Sequence, residues 1–355
     1  MSQHPLAHTL THPLAAVGPI DLTAAAFSLP LFSLIVAVLL VAGGLLLPGL
    51  RHRLTGAAAR GTTLPAVAER HRPERLAVGI GAIVVIVVYA AENIVRGYLL
   101  NLVDVVEWWQ YATPLFAAFV CLTVVLALIW TTGSHRPDQP VLPTSRRTWL
   151  SFAPRGGLVG GAVACLALLV TTLAAGLASS ADDRGRFIYL EIPVPNTQLE
   201  PLRPWFYGWA YGVPVLLCLA AVALVTWSAL RQNAHRPYLR PETVAAERSM
   251  RSRVASGVVA IATAATLLAL GGAFRFIGRY GSMSQLTVGS NAESTTYDMV
   301  WQYAEFASAA RWLAPGLEVL AFALLLVAAL RMLRRPVVRR QGERAERSST
   351  PETVR

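Results

Sequence analysis

Seven apolar stretches, each about as long as a lipid bilayer is thick, constrain this chain more than any other feature of its sequence. Five of them carry no charged residue: 22–50, 108–134, 156–181, 204–230 and 254–274. Two more, 76–103 and 312–330, are interrupted only by Glu92, Arg96 and Glu318. A helix needs roughly 20 residues to cross ~30 Å of hydrocarbon. With 54% hydrophobic and 14% charged residues, the chain is too apolar for an ordinary water-soluble fold.

The stretches predict an all-α fold, a polytopic transmembrane helical bundle of about seven helices. We expect these helices near 27–50, 76–101, 112–132, 156–180, 205–230, 254–277 and 312–334. A transmembrane domain over 27–335 would then lie between an N-terminal tail, 1–26, and a basic C-terminal tail, 336–355. The lipid bilayer is the first expected partner.

The arginines predict the orientation of these helices. All 31 basic residues are arginine, a bias that suggests a GC-rich bacterial genome, and 24 of them fall in 51–75, 133–155, 231–253 and 331–355. These four stretches are alternate connections, and an excess of arginine near helix ends is typical of the cytoplasmic side. The sequence therefore predicts a bacterial plasma-membrane protein with an extracytoplasmic N-terminus and a cytoplasmic C-terminus. The same charge more plausibly contacts anionic headgroups than nucleic acid.

An internal repeat with an offset of 100 residues accompanies this pattern. Trp109, Tyr111, Pro114 and the run 135–137 (His-Arg-Pro) recur as Trp209, Tyr211, Pro214 and the run 235–237, and a looser copy has Trp301, Tyr303 and Pro315. We interpret the chain as one single helix followed by three helical hairpins.

Aromatic residues of the repeat lie at the predicted outer ends of the helices. The outer aromatic cluster comprises Trp109, Tyr111, Trp209, Tyr211, Trp301 and Tyr303. Tryptophan and tyrosine favour the headgroup level, so a membrane-interface belt is the preferred interpretation over an aromatic ligand cage.

Charged residues inside apolar helices give the sharpest functional hypothesis, because such residues are costly in hydrocarbon. Glu318 is expected to be immersed, whereas Glu92, Arg96, Arg275 and Arg279 are expected near the outer interface. Glu92 and Arg96 are four residues apart and could neutralise one another. The hypothesis is that Glu318, held by Arg96, Arg275 or Arg279, lines an outward-facing polar cavity for a cation, proton or small polar solute. The alternative is a carboxyl that only fixes helix packing.

The second and third outer loops are about 20 residues longer than the first, and insertions of this kind often carry specificity. The prolines of 187–195 predict an extended segment. In the third loop, a short helix on the membrane surface is predicted from one apolar face: Tyr297, Val300, Trp301, Ala304 and Ala307. Gly156, Gly157, Gly160 and Gly161 form two overlapping small-xxx-small pairs, which favour close packing against another helix or a second copy.

Several chemistries receive little support. The absence of lysine excludes a retinal-type Schiff base and a phosphate-loop lysine. Cys121, Cys165 and Cys218 lie in apolar segments and are expected to be free thiols. Metal binding through the histidines of the N-terminal tail is disfavoured by the nearby prolines; these histidines are His4, His8 and His12. We predict no cofactor and no metal site.

The sequence favours a permease-like transporter of a small solute or ion, or a membrane subunit that binds a partner through its outer loops. Such a subunit could associate with another membrane protein or with copies of itself. The alternative is an extracytoplasmic-facing membrane enzyme using Asp182, Asp183, Glu191 or Glu200, although nothing supplies a partner nucleophile or base.

Overall fold

The computed structural model describes residues 31–54, 65–96, 107–133, 148–194, 201–238, 240–283, 285–288, 295–298 and 301–334. This part of the chain is mostly helical. Its helices are α1 (Phe32–Leu46), α2 (Pro48–Leu54), α3 (Pro65–Arg70), α4 (Arg72–Ile94), α5 (Thr113–Gly133), α6 (Arg155–Ala178), α7 (Trp209–His235), α8 (Val244–Gly281) and α9 (Ala304–Leu333). Six of these, α4 to α9, are long and apolar enough to cross a membrane. The chain is a multi-pass membrane protein.

The first apolar helix is shorter than predicted. Helix α1 has 15 residues, about 22 Å at the usual rise, which is less than the thickness of the hydrocarbon. It ends where Leu47 adopts an extended conformation, and α2 begins at Pro48. The residue before a proline is disfavoured in the α region, which explains this break. Among the described residues the structure thus has six full-length apolar helices where the sequence predicts seven.

Helix α8 is the centre of the bundle. Within its most apolar window 78% of the residues are buried, compared with 28% to 44% in the other five long helices. It contacts α4, α5, α6, α7 and α9. Small residues permit this close approach: a Cβ at Gly257 would lie 2.4 Å from Val78 of α4, and one at Gly278 would lie 2.6 Å from Arg311 of α9.

The faces of the long helices that point away from α8 are apolar and exposed, as lipid contact requires. Examples are Phe116, Leu166, Leu217, Leu224 and Leu313.

Two helices begin earlier than the sequence predicts. Helix α8 starts at Val244 instead of near 254. Its first turns include Glu247 and Arg251, which are buried in the bundle although they are charged. Helix α9 starts at Ala304 instead of 312 and continues through Pro315. The prediction of a separate surface helix over 297–307 is wrong, since Tyr297 lies in a strand and Ala304 opens α9.

Two short antiparallel hairpins lie between the helices. Strands β1 (Ser180–Ala181) and β2 (Phe187–Tyr189) connect α6 to α7, and β3 (Gln285–Val288) and β4 (Thr295–Asp298) connect α8 to α9. Isolated bridges join Tyr189 to Trp205 and Ile192 to Leu202. The predicted extended conformation is confirmed at Phe187–Tyr189, which form β2, and at Ile192, which forms a bridge. These connections, with the starts of α5, α7 and α9, define one end of the bundle, called here the aromatic end. The opposite end, near the starts of α4 and α8, is called the arginine end.

Candidate functional site

A polar cavity of about 180 Å³ lies between α4, the start of α5 and the last turns of α8, at the aromatic end. It is lined by Tyr89, Glu92, Asn93, Arg96, Gln110, Tyr111, Pro114, Leu268, Ala269, Gly272, Arg275, Phe276 and Arg279. Four of the five charged residues singled out in the sequence therefore line the same cavity: Glu92, Arg96, Arg275 and Arg279. Such convergence of charge among apolar helices is the usual mark of a solute or ion site.

Glu318, the fifth candidate, lies directly behind the cavity wall. Its carboxylate accepts hydrogen bonds from Nε and Nη2 of Arg275, at 3.1 Å and 2.6 Å, and only 3% of the residue is exposed. The Arg275 side chain is 46% exposed and forms part of the cavity wall. Glu318 thus holds the arginine in place from behind instead of facing a solute itself.

The same carboxylate ties α9 to two further helices. Ser33 of α1 donates a hydrogen bond to Oε2 at 2.6 Å, and the Tyr89 hydroxyl of α4 lies 3.5 Å from Oε1. A buried carboxylate is stable in hydrocarbon only when its oxygens are paired and hydrogen-bonded, and all three partners serve that need. Glu318 therefore joins α1, α4, α8 and α9 around the base of the cavity.

Glu92 and Arg96 each have a different partner from the one their spacing suggests. Arg96 forms an ion pair with Glu107, a residue before α5. Glu92 accepts a hydrogen bond from the Thr113 hydroxyl at 3.0 Å. Both contacts tie the end of α4 to the start of α5, so the two helices form one corner of the cavity.

The six predicted aromatic residues do not form one cluster. Tyr111 and Tyr211 meet with their ring centroids 5.4 Å apart, and Tyr111 stacks on Phe276 at 5.5 Å. Trp301 instead contacts Tyr303 at 5.3 Å and the buried Phe206. Trp209 packs over Gly176, where a Cβ would lie 2.5 Å from the indole, while Trp109 contacts Trp108. Sequence reasoning missed Phe276 and Tyr207, which complete the group around Tyr111.

The connection between α6 and α7 folds as a small cap at the aromatic end. Ile188, Leu190 and Ile192 are buried with Phe206 and Tyr207. Gly208 is required where the chain enters α7, because a Cβ there would lie 2.1 Å from the Phe187 carbonyl oxygen.

Acids of this cap are engaged by arginines. Asp182 accepts hydrogen bonds from the backbone N–H groups of Arg184 and Arg186, at 2.9 Å and 2.7 Å, and from Nε of Arg186. Desolvation acts in the opposite direction, but these bonds prevail and lower the pKa of the Asp182 carboxyl below its ordinary value. Glu191 pairs with Arg203 at 2.8 Å. These contacts explain both carboxylates as structural groups. Of the other two acids proposed for an enzyme, Asp183 is exposed and Glu200 lies outside the described residues.

A second buried polar network, which sequence reasoning missed, closes the arginine end. Nη1 of Arg236 lies 2.8 Å from Glu74, and His71 lies 3.1 Å from the other carboxylate oxygen. Arg236 also donates to the carbonyl of Ile129 at the end of α5 through Nε, at 3.1 Å. The available signal was the repeated His-Arg-Pro run that contains Arg236, whose arginine could have been interpreted as an interhelical partner.

Glu247 and Arg251 extend this network across the start of α8. They pair with each other at 3.0 Å, and Arg251 donates to the carbonyls of Arg236 and Pro237. Asn233 of α7 donates to the Arg251 carbonyl at 2.9 Å. Both carboxylates of the network, Glu74 and Glu247, are 0% exposed.

An apolar groove of about 510 Å³ runs along α6, α8 and α9. Gly157 and Gly161 pack against Val259 and Thr263 of α8, as the small-xxx-small pattern predicts. Gly156 and Gly160 line the groove, and a Cβ at either would meet no atom within 4 Å.

Within the described ranges no group of three or more metal-ligating side chains is found. The histidines of the N-terminal tail, His4, His8 and His12, lie outside those ranges. Compared with protein-family models, curated proteins and solved structures, the chain has no match.

Proposed function

We propose that this protein is a permease-like carrier of a small polar solute or ion, and that the polar cavity at the aromatic end is its binding site. The observation that carries the proposal is the meeting of Glu92, Arg96, Arg275 and Arg279 around one space between helices whose other faces are apolar. Charged side chains placed in apolar helices are retained chiefly for solute or ion pathways.

The two ends of the bundle support a carrier that is open on one side. Glu74 and Glu92 are 18 residues apart on α4, about 27 Å along the helix. The cavity lies at the level of Glu92, at the aromatic end, whereas buried ion pairs fill the bundle at the level of Glu74, at the arginine end. A carrier exposes its site to one side of the membrane at a time, and a bundle that is open at one end and closed at the other is one half of that cycle.

Each residue has a role in this proposal. Glu92 and Arg279 are the wall charges that attract a charged group of the solute. Glu318 is a positioning residue that fixes Arg275, and the pair of Arg96 with Glu107 fixes the corner between α4 and α5.

The orientation and the repeat belong to the same proposal. We infer that the arginine end faces the cytosol of a bacterial cell and that α4–α5, α6–α7 and α8–α9 are three related hairpins. Excess arginine in alternate connections supports the orientation. Single cysteines introduced at Ser348 of the C-terminal tail and at Ser2, in a cysteine-free background, can be tested with an impermeant thiol reagent in intact cells. Labelling of Ser348→Cys from outside would refute the orientation.

The apolar groove along α6, α8 and α9 favours a second candidate function, a membrane subunit that binds another helix. Two glycines without a close neighbour in a groove of this size permit the close approach that helix association needs in lipid. The polar cavity favours the carrier, because a subunit that only binds a partner has no need of buried charge around an open space.

Transport in proteoliposomes tests the proposal. We expect the purified chain to exchange at least one member of a panel of radiolabelled small anions, cations and zwitterions across the vesicle membrane. Arg279→Gln, which removes an exposed charge from the cavity wall, should reduce that exchange at least tenfold. Arg72→Gln is the matched control, because its side chain is 61% exposed in an ion pair at the arginine end. A folded chain that exchanges no panel member faster than empty vesicles do would overturn the proposal.

A further inference from the structure

The charges on the cavity wall indicate the class of solute, an inference that rests on the proposed function. Arg275 is matched by Glu318 and Arg96 by Glu107. Each of these pairs is neutral as a unit. Among the described residues, this leaves Glu92 and Arg279 as the two wall charges without an ion-pair partner within 4.0 Å.

These two charges lie on different walls. Glu92 is on α4, and its one hydrogen bond comes from a neutral hydroxyl, that of Thr113. Arg279 is on α8, where its guanidinium carbon lies 5.4 Å from the centre of the neighbouring Tyr280 ring. The cavity thus carries one negative wall and one positive wall, with no net charge.

A net anion or a net cation pairs with only one of the two wall charges, and it leaves the other, half-buried Glu92 or exposed Arg279, without a partner. Charges that face a partner of the same sign, or no partner, are costly away from bulk water. A solute with a cationic group and an anionic group matches both. The volume of about 180 Å³ is below the ~300–1,000 Å³ typical of sites for drug-sized ligands, so it suits a small solute.

We propose that the cavity binds a small zwitterion of the amino acid or betaine class, with its cationic group at Glu92 and its carboxylate at Arg279. Tyr111 and Phe276, whose ring centroids lie 5.5 Å apart in a stacked pair, line the same cavity, and their apolar ring surface suits the alkyl part of such a solute. The amides of Asn93 and Gln110 supply neutral hydrogen-bonding groups on the same wall.

Protection of a cysteine in the cavity tests this proposal. Asn93→Cys, with Cys121, Cys165 and Cys218 replaced by alanine, places a thiol on the cavity wall. Its alkylation rate is measured in the purified chain during titration with three zwitterions (glycine, alanine and glycine betaine), with acetate and with methylammonium. We expect a zwitterion at ten times its Kd to slow alkylation about tenfold. Acetate and methylammonium at the same concentrations should leave the rate unchanged.

Charge-removing variants reveal the assignment of the two walls. Glu92→Gln should weaken zwitterion binding about 10- to 100-fold and allow acetate to protect, whereas Arg279→Gln should allow methylammonium to protect. Glu69→Gln and Arg72→Gln remove the same groups from an exposed ion pair at the arginine end and should change nothing.

The outcomes separate the two proposals. If only acetate or only methylammonium protects the thiol when Glu92 and Arg279 are both present, the zwitterion assignment is overturned but the carrier proposal stands. The same holds if Glu92→Gln and Arg279→Gln bind zwitterions with unchanged affinity. Failure of all five probes to protect the thiol would overturn the zwitterion assignment, and the exchange measurement in proteoliposomes would then decide the carrier proposal separately. If Glu92→Gln does not fold, the probe panel and Arg279→Gln, whose side chain is exposed near the end of α8, decide the assignment.

Discussion

Nη1 of Arg236 lies 2.8 Å from Oε1 of Glu74, and the two side chains are 5% and 0% exposed. The pair joins the residue that follows α7 to the first turn of α4. It brings together two parts of the chain separated by more than 160 positions, and it closes the arginine end of the bundle. An ion pair this deeply buried stabilises the arrangement mainly because the loss of either partner leaves the other charge unpaired.

A double-mutant cycle on this pair should show strong coupling. Glu74→Gln and Arg236→Gln should each destabilise the folded chain by about 3 kcal/mol, and their combination should cost less than the sum. Reversible unfolding in mixed micelles measures these free energies. The exposed pair of Glu69 with Arg72 is the control, and its cycle should show a coupling of about 0.5 kcal/mol or less. Equal coupling in the two cycles would contradict the closed-end interpretation.

Removal of the charge of Glu318 should loosen the base of the cavity. In Glu318→Gln the Arg275 guanidinium loses its anionic partner, and we expect a loss of about 1–3 kcal/mol in the free energy of unfolding. Glu305→Gln, an exposed position in the first turn of the same helix, should cost far less. The same unfolding measurement compares the two, and a Glu318→Gln variant as stable as Glu305→Gln would refute the role of this carboxylate.

The contact of α8 with α9 should not tolerate an added methyl group at Gly278. A Cβ there would lie 2.8 Å from the Arg311 backbone and 2.9 Å from the Ala307 carbonyl oxygen, so the helices must separate. We expect Gly278→Ala to destabilise the chain by about 1–3 kcal/mol, as is usual for overpacking. Gly316→Ala on α9 is the control, because its Cβ would meet no atom within 4 Å. Thermal unfolding in detergent distinguishes them, and equal midpoints would show that the interface can yield.

The turn at Asp182 should open when its carboxylate is lost. Asp182→Asn removes the charged acceptor of three N–H groups, so trypsin should cleave after Arg184 and Arg186 faster than in the unsubstituted chain. Asp183→Asn, the exposed neighbour, should be cleaved at the original rate. If both variants were cleaved at similar rates, the Asp182 carboxylate would not be the group that stabilises this turn.

Acidification should have the same effect on this turn as the Asp182→Asn substitution. Because the folded-state pKa of Asp182 is lowered, its stabilising effect is present above the ordinary value of 3.8 and disappears as the pH falls through the lowered value. An acid-active protease should therefore cleave the turn increasingly on acidification. The Asp182→Asn variant, compared at each pH, should show no such rise beyond the pH dependence of the protease.

The amino-acid sequence alone shows that the chain is a helical multi-pass membrane protein. Uncharged stretches longer than about 20 residues have no stable place in water, and a helix is the one conformation that satisfies its own backbone within lipid. The positions of α4 to α7 follow from the same pattern. The sequence also identified the charged residues of the cavity, because charge within an apolar helix is conspicuous without any knowledge of neighbours.

The partners of those charges, in contrast, depend on how the helices pack. The partner of Glu318 was predicted only as one of three arginines, and the packing of α8 against α9 selects Arg275. The four-residue spacing of Glu92 and Arg96 suggested a mutual pair, whereas the approach of α5 offers Glu107 and Thr113 instead. The arginine-rich connections predicted which helix ends share one side of the membrane, but they did not predict the buried ion pairs there. Glu74 and Glu247 are buried because helices far apart in the chain pack around them. Periodicity and hydropathy report how one segment meets its solvent, and they carry no information about which segments meet each other.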